Sequence, residues 1–426
     1  MALTYNLKYR KMNFFQKVLV EKEGEIVIDR QSFRLKGKGA HDQGEVIYFD
    51  EMKDVVAEGN DQLRFGTFKK EKYVLEDFSN LFESFLKDFF RVRNEFFAEN
   101  LFMKVGMLIK EFECHVEVVT KQDQLLPKGK ARIQFYEGSV IIIPETSECF
   151  VLHYNFLKSH EFDGDEYQLR LYMDNGTNVH ISKLGSYFED AQENYELLLS
   201  KMYQKIVNQL VEFFPGFAAM DLLKLAYLVR DNKGVAMTAL RKIHEDLPAK
   251  VEELAFGQNP VLRAKVEALR GVGNGVAGDA HFYIGFCFFQ KADKRDLGVK
   301  SWFAYALPQK NVVALGVTSN PLDSTIHFVR LAVNPAEKED VLLEKMYEIN
   351  YCAYILKGDF GPLYKDKREL QKSRFKTALR RLAVLRFLRK SYIWRNFGPD
   401  LQFLQRDLET VFKRAVLVEV RVENRK

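Results

Sequence analysis

The sequence predicts an α+β protein. It has two tandem antiparallel β-sandwich or barrel modules, each capped by a C-terminal amphipathic helix, then a mixed helical and β region. Three observations carry this prediction. Two stretches 106 residues apart share one pattern of strand-like segments followed by a helix. Each of those helices has a single apolar stripe stepping by 3 or 4 residues. Beyond residue 217 the text turns helical, then strand-like, then helical again.

With no gap, Gln62-Leu63-Arg64 falls on Gln168-Leu169-Arg170, Phe82-Glu83 on Phe188-Glu189 and Tyr48 on Tyr154. Short β segments precede each helix: FFQKVLVE, GEIVIDR, SFRLKG and GEVIYFD in the first copy, CHVEVVT, KARIQFYE, SVIIIP and CFVLHYNF in the second. In the second copy YQLRLYM and NVHIS flank Asn175-Gly176, which predicts a hairpin with a type I′ turn and positive φ at both central residues. The first copy has Phe68-Lys69-Lys70 there, so a different turn is expected. Ser186 with Glu189, and Asn80 with Glu83, have the spacing of capping boxes. The stripes are Phe82, Phe85, Phe89, Val92 and Phe96, and Phe188, Ala191, Tyr195, Leu198 and Met202.

Several antiparallel strands closed by one C-terminal helix in roughly 100 residues resemble the pleckstrin-homology (PH) fold, in which the helix plugs one open end of a bent β-sandwich. The resemblance covers the first half of the chain. The domains expected are a PH-like module at 1–104, a second at 105–213, a helical segment at 214–278 and a third β-plus-helix region at 279–426, a possible diverged PH-like copy. In the helical segment FAAMDLLKLAYLVR, GVAMTALRKIHEDL and NPVLRAKVEALR have helical periodicity, and Pro260 suits a first turn. HFYIGFCFF, SWFAYALP, NVVALGVTS and STIHFVRLAV then read as strands, closed by a helix from about Glu337 to Leu356.

Gly273-Asn274-Gly275-Val276-Ala277-Gly278 spells G-x-G-x-x-G. A dinucleotide site needs strand, glycines, then helix. Here a helix ending at Arg270 precedes the glycines and a strand starts near His281, so Gly271 reads as a helix cap and the rest as a connector. Cys114-His115 would send its side chains to opposite faces of a strand, which disfavours a nucleophile–base pair. Asp279 and His281 would share a face, but no third member is in view. Asp163, Asp165 and Glu166 lack calcium-loop spacing. The four cysteines, Cys114, Cys149, Cys287 and Cys352, are far apart and read as buried thiols. No catalytic residue, cofactor or metal is expected.

Charge is segregated. Residues 357–426 hold 19 Lys and Arg against 8 Asp and Glu, a net of +11, while the chain as a whole carries +5. Lys372, Lys376 and Arg380 fall on one i, i+4 ridge of an expected basic helix and are the candidate residues for a polyanion or partner. The PH resemblance implies a second basic set in the early hairpins, Arg34, Lys36 and Lys38, then Lys128, Lys130 and Arg132. No apolar run is long enough for a membrane span, and the N-terminus has no secretory h-region, so a soluble cytoplasmic protein is expected. The expected function is non-catalytic binding of another macromolecule, a protein. The alternatives are nucleic acid or another polyanion on the basic C-terminal helix, a phosphoinositide or membrane surface, and an enzyme with a site assembled across domains.

Overall fold

A computed structural model describes residues 3–39, 42–59, 61–119, 125–230, 232–273, 280–290, 297–318, 323–331, 339–398 and 401–416. The chain forms two compact units, Met1–Leu198 and Leu199–Lys426.

The first unit contains the duplication. Its first copy comprises β1 (Leu3–Met12), β2 (Val18–Ile28), β3 (Ser32–Gly37), β4 (Glu45–Tyr48), a 3-10 turn (Phe49–Glu51), β5 (Met52–Glu58), β6 (Gln62–Thr67), β7 (Lys72–Glu76) and α1 (Phe82–Asn100). The second comprises β8 (Leu108–Val119), β9 (Leu125–Tyr136), β10 (Ser139–Pro144), β11 (Phe150–His153), a 3-10 turn (Tyr154–Phe156), β12 (Leu157–Asp163), β13 (Gln168–Met173), β14 (Asn178–Ser182) and α2 (Phe188–Phe213). Both form seven-stranded antiparallel sheets, ordered β4-β3-β2-β1-β7-β6-β5 and β11-β10-β9-β8-β14-β13-β12. The first curls into a half-barrel. The register repeats as well: Leu63 pairs with Leu75 and Phe65 with Tyr73, as Leu169 pairs with Ile181 and Leu171 with Val179, each 106 residues on.

The strands form because alternate residues are apolar, and those residues point at the helix. In β3 and β6 the inward set is Phe33, Leu35, Leu63 and Phe65, all buried. Phe89 of α1 meets Phe33 and Phe49 edge-on, with ring centroids 5.8 and 5.9 Å apart. The second core is mostly aliphatic around Tyr195, which has Phe135, Tyr154, His160 and Phe162 around it. Each such buried side chain contributes about 1.5–3 kcal/mol. Phe82, Phe85 and Phe89 are buried as the stripe requires, while Val92 and Phe96 lie half-buried at its edge. Phe188, Ala191, Tyr195 and Leu198 are all buried.

Several local expectations change. FFQKVLVE is not all strand, because Phe14, Phe15 and Gln16 are the turn between β1 and β2. β1 itself, with Leu7 and Tyr9 buried between Lys8 and Arg10, lies in text that reads as charged. The counterpart of Tyr154 is buried Phe49, not exposed Tyr48: here the copies run at an offset of 105, which returns to 106 at β6 and β13 because the β12–β13 turn is one residue longer than the β5–β6 turn. Asn80 and Ser186 sit inside 3-10 turns that precede the helices, and the N-cap of α1 is Leu81, with no side-chain hydrogen bond.

The hairpin turns also differ from expectation. Asn175 is not left-handed; only Gly176 is, at φ +82°. In both copies an amide bonds back three residues and the strand ends close at 2.9 Å: Lys70 to Thr67 with Thr67 to Glu71, and Gly176 to Met173 with Met173 to Thr177. The two turns are therefore the same, and Lys70 at φ +66° occupies the place of Gly176.

A polar clasp joins the copies. Asn94 of α1, fully buried, donates from Nδ2 to the Ser147 carbonyl at 2.9 Å and accepts from the Cys149 amide at 2.9 Å. Beside it the buried Arg93 guanidinium reaches Glu148 at 2.8 Å and lies 4.5 Å from the Phe97 ring.

The second unit adds α3 (Ala219–Val229), β15 (Val235–Ala236), α4 (Met237–Arg241), α5 (Leu247–Phe256), α6 (Pro260–Val272), β16 (Phe282–Gln290), β17 (Leu297–Leu307), β18 (Val312–Val317), β19 (Ile326–Arg330), α7 (Glu339–Leu356), α8 (Lys367–Gln371), α9 (Lys376–Arg381), α10 (Ala383–Lys390), β20 (Tyr392–Asn396) and α11 (Leu401–Val416). Its sheet is a plain meander, β15-β16-β17-β18-β19-β20, and does not repeat the order of the other two. β15 pairs with β16, so the segments at 214–278 and 279–426 share one sheet and one core. Ile206 and Leu210 of α2 join that core, which is why the units divide within α2 and not at 213. GVAMTALRKIHEDL gives only β15 and the short α4. The α6 cap is Gly273, not Gly271: a Cβ at Gly273 would lie 2.2 Å from the Tyr305 hydroxyl. Residues 274–279, including most of the glycine motif and Asp279, lie outside the described residues.

Two outcomes follow from these contacts. A left-handed non-glycine residue costs about 1 kcal/mol, so Lys70→Gly should stabilise its hairpin by that order, and Gly176→Lys should weaken the other equally. Amide exchange of each hairpin reads this. Asn94→Ala leaves the Cys149 amide buried without its acceptor, at about 1–3 kcal/mol. Exchange at Cys149 should then accelerate while exchange in β6 and β7 stays slow; unchanged protection at Cys149 would show that the clasp adds nothing.

Candidate functional site

Three surfaces stand out. The first is a cleft of about 420 Å³ in the first unit. Lys87 and Arg91 of α1 form one wall, His115 of β8 and Lys130 and Arg132 of β9 the other, with Glu145 and Lys183 at the ends. The register sets this up: Glu113 lies opposite Arg132, and His115 opposite Lys130 and Ser182, so these side chains share one sheet face. Lys183 has φ +56°, and its counterpart Asp77 has φ +61°, so the fold imposes this backbone on both copies but only the second puts a cation there.

Acids already answer much of this charge. Lys87 pairs with Glu83 at 2.9 Å, Arg91 with Asp88 at 3.0 Å and Arg132 with Glu111 at 3.2 Å. Lys130 and Lys183 have no acidic partner among the described residues, which leaves them available to an anion. His115 is held below its ordinary pKa by partial burial, then by Lys183 and Lys130, against a weaker opposing pull from Glu145. Cys114 faces the core, and burial pushes its thiol up to about 12, so it is no nucleophile at neutral pH.

The second surface is the β1–β2 hairpin tip. The Asn13 carbonyl accepts from Gln16, which is left-handed at φ +62°, and Asn13 Oδ1 accepts from Lys17. Phe14 and Phe15 occupy the central turn positions, 62% and 84% exposed. Val18 and Leu19, which a strand sends to opposite faces, are both exposed, so the tip is apolar all round. Lys70 from the β6–β7 turn lies 5.7 Å over Phe14, and Phe68 of that turn is exposed as well. From Lys11 to Val20 the chain has no acid.

The third is the cationic C-terminal region. Lys372, Lys376 and Arg380 do not form one ridge. Lys372 caps α8, the chain turns through 373–375, and Lys376 opens α9. Lys372 is exposed; Lys376 and Arg380 are half-buried, and both have interactions within the protein. Helical spacing fails because α8 ends at Gln371 and the chain turns before α9, with the Phe375 amide donating to Ser373 Oγ at 3.2 Å; the basic stretch 365–397 divides into α8, α9, α10 and the strand β20.

The remaining sequence candidates resolve individually. Lys36 and Lys38 pair with Glu25 and Glu23, and Lys128 with Glu117, while Arg34 lies exposed on β3. Asp163 accepts from the Asp165 and Glu166 amides and pairs with Arg170 at 3.0 Å, an ordinary closed loop. His281 is half-buried. Cys114, Cys149 and Cys352 are buried free thiols, and the side chain of Cys287 lies outside the described residues. Among the described residues no three metal-binding side chains converge, and no helix is long and apolar enough to cross a membrane. Sequence pattern does not single out Lys87, Arg91 and Lys183, and picks His115 only as a neighbour of Cys114, because the cleft residues come from distant segments. The Phe14-Phe15 pair in acid-free text was the only local signal of the tip.

No protein-family model matches the chain, and no curated protein matches it in sequence.

The cleft field is measurable. Two cations beside His115 disfavour its imidazolium, so replacing Lys130 and Lys183 with Met should raise its pKa toward the ordinary histidine value. NMR titration of the ring reads this, and an unmoved pKa would place both lysines too far away to act.

Proposed function

We propose that the protein is a non-catalytic interaction protein whose first unit is a pair of PH-like modules, and that it binds another protein through the β1–β2 hairpin tip. The PH-like assignment draws on the shared strand order. Four strands meander outward, three return, the first strand pairs with the seventh, and a helix follows in both copies.

One observation carries the binding role: Phe14 and Phe15 stand exposed at a projecting turn. Water disfavours such a surface, and single-chain proteins rarely keep one without a use. Large aromatics are also the side chains that anchor protein interfaces. Lys17, Lys70 and Lys72 around the tip have no acidic partner among the described residues, so they suit an acidic rim on the partner. The basic cleft at Lys130 and Lys183 gives the same unit a second place for an acidic segment.

A membrane surface is the second reading, supported by the tip being apolar on both faces above a ring of lysines. Intact wild-type protein and a Phe14→Ser, Phe15→Ser variant separate the two. Under the protein reading the variant loses its captured partners in quantitative pull-down, with affinity down about thirtyfold for an anchor worth about 2 kcal/mol. Neither form should sediment with phosphatidylserine vesicles. Partners retained in full would defeat the protein reading, and vesicle binding by the wild type alone would establish the membrane one.

A further inference from the structure

Strand β20 lies at one edge of the second unit's sheet. Around it exposed rings alternate with guanidinium groups. Arg395 of β20 lies 4.1 Å over the Tyr364 ring and 5.3 Å from that of Phe397. Tyr364 is 41% exposed and Phe397 68%. His327, which the β19–β20 pairing places opposite Arg395 on one sheet face, forms a floor with it under the Tyr364 ring, nearly parallel at 5.7 Å. Burial holds His327 at a pKa of about 4, so its imidazole is neutral. Gly398 follows Phe397 and lies against Phe403: a Cβ there would come 2.5 Å from the Phe403 Cβ and 2.7 Å from its ring. Phe403 is also exposed, with Arg406 at 5.0 Å.

The segment after Tyr364 is cationic. Lys365, Lys367 and Arg368 are exposed, and Arg389 donates to the carbonyls of Pro362 and Lys365 on either side of Tyr364. Asp366, the acid among them, is occupied in capping α8 through the Arg368 and Glu369 amides.

We propose that Tyr364, Arg395, Phe397 and Phe403 form a binding site for single-stranded nucleic acid. Bases stack on the rings, while Arg395, Arg406 and the Lys365–Arg368 run take the phosphates. The two features together select this ligand. An acidic peptide would satisfy the charge and leave the rings in water. A duplex hides its base faces within its own stack. A single strand offers phosphates and free base faces together. This site is independent of the hairpin tip and of the protein-binding role given to it.

The test uses the full chain and fluorescence anisotropy with a labelled oligothymidylate, a duplex of equal length and labelled heparin. Wild type should bind the single strand more tightly than the duplex, with affinity falling steeply as salt rises. Tyr364→Ala with Phe397→Ala should weaken the oligothymidylate about tenfold or more while heparin binding stays within about twofold. Tyr364→Phe should retain binding, because the stacking face remains. Phe397→Ala alone, at the most exposed ring, provides a folded variant if the double one unfolds, and it too should lose affinity for the single strand. The proposal fails if wild type does not bind the single strand at low salt, if duplex binds equally well, or if the ring variants reduce heparin and oligothymidylate binding alike.

Discussion

The organisation of the first unit depends on one buried polar contact. Asn94 offers its carboxamide to the Ser147 carbonyl and the Cys149 amide, while Arg93, without exposed side-chain surface, meets Glu148. Apolar packing is tolerant of small slides between surfaces; a buried amide with both ends satisfied is not, because a shift leaves polar groups unpaired. The clasp therefore fixes one register between α1 and the β10–β11 loop. Helix α1 thus has two roles, with Phe82, Phe85 and Phe89 closing its own sheet and Arg93 and Asn94 holding the next. The basic cleft is a consequence, since Arg91 and Lys87 are about one and two turns before the clasp and line the cleft with the strands that it holds in place.

The two copies show which features the fold itself demands. Left-handed residues recur at equal offsets: Lys70 with Gly176, Asp77 with Lys183, Ser79 with Gly185. Only one residue of each of the outer pairs is glycine, so the backbone path, not residue type, sets these positions. Side chains then diverge freely upon a fixed path. Arg93 and Asn94 correspond to Leu199 and Ser200, so α2 has no such clasp to repeat, and its last turns supply Ile206 and Leu210 to the second core.

What could be read from sequence was local and periodic. The 106-residue offset, both capping helices and the β6–β7 and β13–β14 hairpins follow from alternation and i, i+4 spacing, and all are present. What was lost depends on distant neighbours. β1 buries only Leu7 and Tyr9 fully, and its flanking charges are explained by ion pairs to other strands, such as Arg10 with Glu76 and Lys11 with Glu45. Tyr392–Asn396 is not picked out as a strand by sequence pattern, and it extends because β19 provides a strand to pair with. The Lys372–Lys376–Arg380 ridge failed for a local reason: α8 ends at Gln371, and the chain turns through 373–375 before α9 begins. The cleft was illegible because its cations come from α1, β8, β9 and the turn after β14.

Exposed aromatics in the two units share one device. Phe14 has Lys70 over its face; Tyr364 and Phe397 have Arg395 between them; Phe403 has Arg406. A cation over a ring is attracted by the ring's quadrupole, and its own hydration keeps the apolar surface from associating with another like it. Two such surfaces repel when they approach, so self-association is disfavoured although the rings are open to water. An anionic partner meets the opposite situation, because it neutralises the cation and gains the ring in the same step. Under the roles proposed for them, both surfaces favour ligands that combine negative charge with something flat or apolar over purely apolar ones. This selectivity lies in the pairing of each ring with its cation, which neither residue type provides alone.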